Sequence, residues 1–313
     1  MKLIIESGAT KADCCLIDGD GAVRSSFRTG GINLASMDES TVSQRAGDAV
    51  SFVLSGGFVP EKDVTEVFFY GAGVIGEDDF TRPYAEKQGN QLDKADGKAD
   101  DGKDAVRKAF PGAVFHFNSD LMAAARGLYG DGSGIVAILG TGSNSCLYRG
   151  GHIVRNIRPG GFILGDEGSA AALGRLFLAD YVKDMLPVEV ADAFYKEYSL
   201  EYEDVVRLVY RSPAPAASVA AFAPFIVRWQ ENHHVRPMIR RNFMDFIERS
   251  LLRYLGDTLK NGEDKRNVEV RVTGSFGCAC RELLQETGRG CGISFTSFVP
   301  APMDGLIEYH RTH

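Results

Sequence analysis

Apolar positions in the first third of the chain come in strand-sized blocks. Residues 2–6 (Lys-Leu-Ile-Ile-Glu) and 12–18 (Ala-Asp-Cys-Cys-Leu-Ile-Asp) flank a turn of small residues, Ser7-Gly8-Ala9-Thr10-Lys11. A second turn, Asp18-Gly-Asp-Gly21, leads into a third block over 22–28. This spacing predicts an antiparallel meander rather than the strand–helix opening of a dinucleotide fold. Residues 38–54 have helical periodicity, with Asp38 as N-cap and Gly56-Gly57 as the stop. Residues 64–70 and 114–117 read as buried strands, and 104–110 as a helical piece. The polar, charged and glycine-spotted stretch 77–104 reads as an exposed connector with room for one helix.

The second half repeats that opening in order, though not in sequence. Residues 135–139 (Ile-Val-Ala-Ile-Leu) are β-branched at Ile135, Val136 and Ile138, too short for an independent helix, and read as a buried strand. Gly140-Thr141-Gly142-Ser143 breaks the run, and further strands follow at 146–148 and 152–156. Gly160-Gly161-Phe162-Ile163-Leu164-Gly165-Asp166-Glu167-Gly168-Ser169 then precedes an alanine-rich helix over 170–183. Apolar periodicity predicts helices over 190–210, 214–232 and 237–261. Residues 268–273 form a β-branched strand ending at Gly274-Ser275-Phe276-Gly277, a helix opens at Cys278, and a last strand covers 293–298 before a loop and short tail.

At 313 residues the chain exceeds the usual single-core size. Two domains are expected, over 1–117 and 118–313, with the tail after about 300 packing back on the first. The net charge of −7 argues against a nucleic-acid partner, and an anionic substrate would need a metal ion and local donors. No apolar run approaches the ~20 residues of a membrane span, and the start lacks a signal-peptide pattern, so no membrane association is expected. Six scattered cysteines (Cys14, Cys15, Cys146, Cys278, Cys280, Cys291) fit reduced thiols in a cytoplasmic protein.

Several positions carry candidate chemistry. The glycines of the 140–143 turn allow positive φ and close approach, and successive N–H groups with the Thr141 and Ser143 hydroxyls could cradle an anion. An ordinary tight hairpin explains the same residues. The 7–11 turn offers Thr10 and Lys11 to phosphate, with Glu6 at its head for magnesium through water; read in isolation, it is simply a hairpin turn. Asn33 is a lone amide in a loop. Asp120 begins an alanine-rich helix, as a cap worth ~1 kcal/mol or as a general base. Asp166 and Glu167 sit among glycines at another helix start, as a capping motif or a ligand site. His233-His234 and Cys278/Cys280 lack metal-ligand spacing.

Taken together, these motifs resemble the acetate-kinase/actin/Hsp70 superfamily, in the N-acetylglucosamine-kinase-like branch of the BadF/BadG/BcrA/BcrD ATPase family. The first phosphate motif matches Glu6-Ser7-Gly8-Ala9-Thr10-Lys11. The second matches Leu139-Gly140-Thr141-Gly142-Ser143-Asn144. The Gly-Asp-Glu-Gly-Ser block matches residues 165–169, and the adenosine motif matches Gly274-Ser275. The resemblance implies two ribonuclease-H-like, actin-like ATPase domains with a nucleotide cleft between them. It implies ATP and Mg2+ as cofactors, with Glu6 handling the metal. Thr10, Lys11, Gly140, Thr141 and Gly142 would face the phosphates, and Gly274, Ser275 and Ala279 the adenosine. Asp120 would be the base, and Asn33, Asn144, Gly161 and Asp166 would contact the sugar substrate.

Three departures qualify the match. Glu6 and Ser7 stand where the branch usually has Asp and Gly, the 160–162 loop is shorter than the sugar kinases' version, and the chain ends soon after Gly305. The expected activity is ATP-dependent phosphorylation of an amino-sugar hydroxyl, N-acetylglucosamine above all. The alternatives are a BadF-type ATPase that activates a partner enzyme through an iron–sulfur cluster, and a non-catalytic sugar or nucleotide sensor. A homodimer is left open.

Overall fold

The computed structural model describes residues 1–8, 11–34, 37–74, 76, 79, 98–255 and 268–313. Among the described residues ten strands form two five-stranded sheets. The first comprises β1 (Lys2–Ser7), β2 (Lys11–Ile17), β3 (Val23–Gly30), β4 (Glu66–Gly71) and β5 (Val114–Ser119), in the order β3-β2-β1-β4-β5. The β1/β2 and β2/β3 pairs are antiparallel, while β4 runs parallel to both β1 and β5. The second comprises β6 (Gly134–Leu139), β7 (Ser143–Arg149), β8 (His152–Asn156), β9 (Val268–Thr273) and β10 (Ile293–Val299), in the order β10-β9-β6-β7-β8. Read from β8, this is the neighbour order of the first sheet, and β9 lies parallel to β6 and β10. The repeat predicted from the turns is therefore a repeat of topology, with the strand order of a ribonuclease-H-like fold twice over.

The central strands are apolar because both faces are covered. Leu3, Ile4 and Ile5 of β1 are all buried, as are Val67, Phe69 and Tyr70 of β4. The helix Glu39–Ser55 presents Val42, Ala46, Ala49 and Val53 as one buried stripe, and Asp38 caps it by accepting from the Thr41 N–H. Val42, Ala49 and Val53 join Leu3, Ile5, Leu16 and Phe110 in one core cluster.

By contacts the chain divides into Met1–Ser133, Leu147–Arg155 and Pro302–His313 on one side, and Gly134–Cys146 with Asn156–Ala301 on the other. This differs from a split after residue 117. The helix Asp120–Tyr129 buries Leu121, Met122, Ala123–Ala125 and Leu128 and packs on β1, β4 and β5, so it stays with the first sheet. The tail is a helix, Met303–Thr312, that crosses Asp120–Tyr129 at two glycines: a Cβ on Gly305 would stand 1.8 Å from the Gly127 carbonyl oxygen. A buried polar cluster seals this contact. The Tyr70 hydroxyl lies 2.8 Å from His310 Nε2 and accepts from Arg126 at 2.9 Å. Burial, with Arg126 and Lys2 nearby, pushes the His310 imidazole down to about 3.

In the second unit the alanine-rich helix runs Ala170–Tyr181 and is capped by Ser169. The single helix expected over 190–210 is two, Val188–Tyr198 and Tyr202–Tyr210, because Ser199 takes a left-handed conformation (φ 51°) and Glu201 starts a capping box with Asp204. The stretch 214–232 likewise divides into Pro215–Ala220 and Ala223–Arg228. Phe177, Phe194 and Phe225 meet edge to face at 5.0–5.8 Å and anchor these helices. The helix expected over 237–261 runs Val235–Arg249, followed by a 3-10 turn at Leu251–Tyr254; residues 256–261 lie outside the described residues.

Candidate active site

The first unit gathers carboxylates at the end of β1. Antiparallel pairing places Glu6 directly opposite Asp13, an arrangement of like charges that costs free energy unless something offsets it. Arg28 Nε at 2.6 Å and Lys11 Nζ at 3.1 Å pair with Asp13. Burial alone would raise Asp13, but these two cations hold it below the usual carboxylate range. Glu6 has no such relief. Burial, then the charges of Asp13 and Asp120, push it up to about 7 against the pull of Lys11. Such a carboxylate is poised for a divalent cation, which would replace a proton as its counter-charge. Magnesium takes one or two protein carboxylates and completes its shell with water and phosphate oxygens, and this donor set fits that habit. Thr10 lies outside the described residues. Lys11, expected at the phosphates, is engaged with Asp13.

Ser7 is fully buried and tethers the strand end to the following loop. Its Oγ accepts from the Ile32 N–H at 2.7 Å and donates to the Ile32 carbonyl at 3.0 Å, which fixes the backbone before Asn33. The serine that departs from the branch pattern thus has a structural role.

Asp120 is the first residue of its helix and is not the cap. Ser119 takes that role, its Oγ accepting from the Met122 N–H at 3.1 Å. The Asp120 carboxylate is raised by burial and drawn back by the Leu121 N–H and its own. Ser119 is held in turn by Asp79, a fully buried carboxylate absent from the sequence-based candidates. Asp79 Oδ2 accepts from the N–H groups of Ser119 (3.0 Å) and Gly76 (2.8 Å). Burial pushes Asp79 up to about 6.

In the second unit the 140–143 turn is organised from behind. The carbonyls of Gly140 and Thr141 accept from the N–H groups of Ala170 and Ala171, at 2.9 and 3.1 Å, at the start of the alanine-rich helix. Neither Gly140 nor Gly142 has positive φ, contrary to the expectation from sequence. Gly142 matters for a different reason: a Cβ there would stand 3.0 Å from Asp166 Oδ2 and would press that carboxylate out of place. The Ser143 N–H bonds to the Asp166 carboxylate, and the Ser143 hydroxyl donates to the Glu167 carbonyl at 2.7 Å. Asp166 is left-handed (φ 54°) and raised by burial. The turn and the Asp166 corner are thus one packed unit.

Gly161 (φ 74°) opens a short helix, Gly161–Leu164, whose Ile163 and Leu164 are exposed. The Asn144 carboxamide oxygen is engaged within the unit by the Ser145 N–H and Asn156 Nδ2. Gly274 follows β9 with φ 119°, and a Cβ there would meet the Leu139 carbonyl oxygen at 2.3 Å, so glycine is obligatory. It starts the helix Ser275–Ala279, on which Ser275 and Ala279 share an exposed face at i, i+4 spacing.

The family model for the BadF/BadG/BcrA/BcrD ATPases matches residues 5–277, a span that contains the turns, both aspartate corners and the Gly274 helix start. The chain belongs to the BadF/BadG/BcrA/BcrD ATPase family. Within the solved structures, a candidate N-acetylglucosamine kinase from Porphyromonas gingivalis is 34% identical, with a TM-score of 0.83 and coverage of 100% of this chain and 99% of its own. A candidate N-acetylglucosamine kinase from Chromobacterium violaceum (17% identity, TM-score 0.67, 98% of each chain) shares the fold. So does a ROK-family glucokinase from Streptomyces griseus solved with glucose and AMPPNP (19% identity, TM-score 0.51, 98% and 97%). No curated protein matches the chain.

The cysteines bear on the alternative of a partner activator with an iron–sulfur cluster. Cys14, Cys15, Cys146 and Cys280 are buried, and burial raises the thiols of Cys14, Cys15 and Cys280, which disfavours the thiolate form that ligates iron. Among the described residues no three His, Cys, Asp or Glu side chains gather as a metal cage. His234 instead pairs with Asp180, Nε2 to Oδ2, at 2.8 Å. No helix among the described residues is long and apolar enough to cross a membrane.

Proposed function

We propose that this chain is an ATP-dependent sugar kinase whose acceptor is an amino sugar such as N-acetylglucosamine. The observation that carries the proposal is Asp120: a carboxylate at a helix N-terminus, with capping already performed by Ser119, in the same unit as the raised carboxylate of Glu6. Its capping role having been taken, it is available to accept the proton of an attacking hydroxyl. The helix N-terminus favours the ionised form that can do so. The whole-length similarity to the Porphyromonas gingivalis protein supports a kinase of this acceptor class.

Phosphoryl transfer needs chiefly positioning and charge neutralisation. Gly140, Thr141, Gly142 and Lys11 would hold phosphate oxygens, with Thr10 beside them. Ser275 and Ala279 would line the adenosine, and Asn33, Gly161 and Asp166 the sugar. Glu6 would hold magnesium, which when bound neutralises phosphate charge. A coupled ADP-release screen over hexoses, hexosamines and their N-acetyl derivatives tests the proposal. Release that depends on an N-acetyl hexosamine is the expected result. ADP release indifferent to every sugar overturns it and favours an ATPase that acts on a partner protein.

A further inference from the structure

We infer that Asn242 is a positioning residue of the phosphate turn, a buried carboxamide that fixes the Gly168–Ser169 backbone and, through it, residues 140–143 and Asp166. The inference rests on the reading of that turn as the ATP phosphate site. Asn242 lies on the helix Val235–Arg249, whose buried stripe is otherwise apolar: Val235, Met238, Ile239, Phe243, Phe246 and Ile247. At 2% exposure, a polar side chain in such a stripe must have partners. It has two, on successive residues of the Asp166 corner. Its Oδ1 accepts from the Gly168 N–H at 2.9 Å, and its Nδ2 donates to the Ser169 carbonyl at 3.0 Å.

The same helix face holds the corner at two further points. Phe246 lies under Gly168, where a Cβ would approach its Cβ to 2.7 Å, and Arg249 pairs with Glu167 at 3.0 Å. Residues 242, 246 and 249 are spaced i, i+4, i+7, so one face braces the whole block. From the corner the chain of contacts is short. Ser169 is the cap of the alanine-rich helix, and the next two N–H groups, of Ala170 and Ala171, bind the carbonyls of Gly140 and Thr141. With those carbonyls held from behind, the opposite edge of the turn is set for a ligand, and Asp166 stays against Gly142. The Ser169 carbonyl has a second donor in the Leu173 N–H, so the bond from the Gly168 N–H to Asn242 is the one whose loss matters more.

A core-filling role and a positioning role predict opposite orders for two substitutions. Asn242→Leu keeps the volume and leaves the Gly168 N–H facing a methyl group. Asn242→Ala opens a polar space in which water can accept from that N–H. Positioning predicts that leucine is the worse catalyst, whereas packing predicts alanine.

The experiment measures ATP affinity by titration, kcat and KM for ATP and sugar, and melting temperature for both variants, with Ile239→Ala as a control for lost stability on the same helix. Expected is a fall in ATP affinity and kcat/KM on the order of 10–100-fold for Asn242→Leu, a smaller fall for Asn242→Ala, and near wild-type constants for folded Ile239→Ala. If the leucine variant does not fold, the alanine variant against Ile239→Ala carries the comparison. Wild-type constants in the Asn242 variants, or an equal loss in Ile239→Ala, overturn the inference. Thr141→Val separates the two levels. Unchanged ATP affinity there removes the phosphate turn and this inference with it. Weakened affinity there beside unaffected Asn242 variants removes this inference alone.

Discussion

Replacing Glu6 with glutamine tests the raised carboxylate at the head of the first turn. The side chain keeps its shape and loses its charge. In the wild type, burial and the facing charges of Asp13 and Asp120 lift the Glu6 carboxyl from 4.5 to about 7. The folded protein therefore binds a proton more tightly than the unfolded chain. The resulting stability is fully present below about pH 4.5 and is lost as pH rises through about 7. At 1.36 kcal/mol per unit the ceiling on the loss is about 3 kcal/mol. Glu6 is partly exposed and shares its titration with two neighbours, so about 1–2 kcal/mol is the expected effect. Glutamine escapes this loss. Calorimetry of the metal-free protein should show variant and wild type melting together near pH 4.5 and the variant melting a few degrees higher at pH 8. Magnesium with nucleotide should then raise the wild-type melting temperature more than the variant's, while turnover collapses in the variant and needs far more magnesium. An offset that does not change with pH, together with an equal magnesium response, would refute the reasoning and leave Glu6 a structural residue.

Three further outcomes follow from the same geometry. Asp120→Asn should lower kcat by roughly 10²–10⁴, about 3–5 kcal/mol of barrier, with little change in sugar KM or melting temperature because Ser119 still caps the helix; steady-state kinetics at near wild-type rate would exclude it as the base. Gly142→Ala places a methyl 3.0 Å from Asp166 Oδ2 and should raise KM for both sugar and ATP, about tenfold for the sugar, because the turn and that carboxylate shift together; wild-type values for both would show that the contact is absorbed without consequence. Ser119→Ala removes the side-chain cap but keeps the backbone N–H that binds Asp79, and should cost about 1–2 kcal/mol in thermal melts, while a melting temperature equal to wild type would show that the Ser119 cap carries no stability.

What the sequence revealed follows from which interactions are local. The strand blocks, the two small-residue turns and the helix starting at Asp120 are written in runs of a few residues, and the structure contains them. The family resemblance rests on the same local runs. The contact-based division departs from a split after residue 117 because it depends on where the Asp120–Tyr129 helix packs, which is a property of the whole sheet. The role of Gly142 was misread as conformational, since the need for an absent side chain arises from Asp166, 24 positions away in sequence. Asp13 was readable in principle: once the 7–11 hairpin is drawn in register, it falls opposite Glu6. Asn242 too left a signal, as an amide on the apolar stripe of a predicted helix. Asp79 left none, because a lone aspartate in a polar stretch has no pattern to violate.

The two repeated turns share a topology but not a chemistry. In the first, the strand pair itself presents charge: Glu6 and Asp13 face each other, and Lys11 and Arg28 offset only one of them. In the second, the strand pair presents no carboxylate. Its turn is held by a helix start, and the nearby acid, Asp166, arrives from a separate corner that needs Gly142 to make room. A turn of the first kind suits a cation, because an unrelieved carboxylate is stabilised by any positive charge that reaches it. A turn of the second kind suits an anion, because its carbonyls are already occupied and, with Ser143 engaged by Asp166 and Glu167, the donors turned to a ligand are the N–H groups of Thr141 and Gly142 and the Thr141 hydroxyl. Since each is built by its own sheet, a substitution confined to one turn should impair metal handling or phosphate binding separately, which is the pattern that Glu6→Gln and Thr141→Val are chosen to reveal.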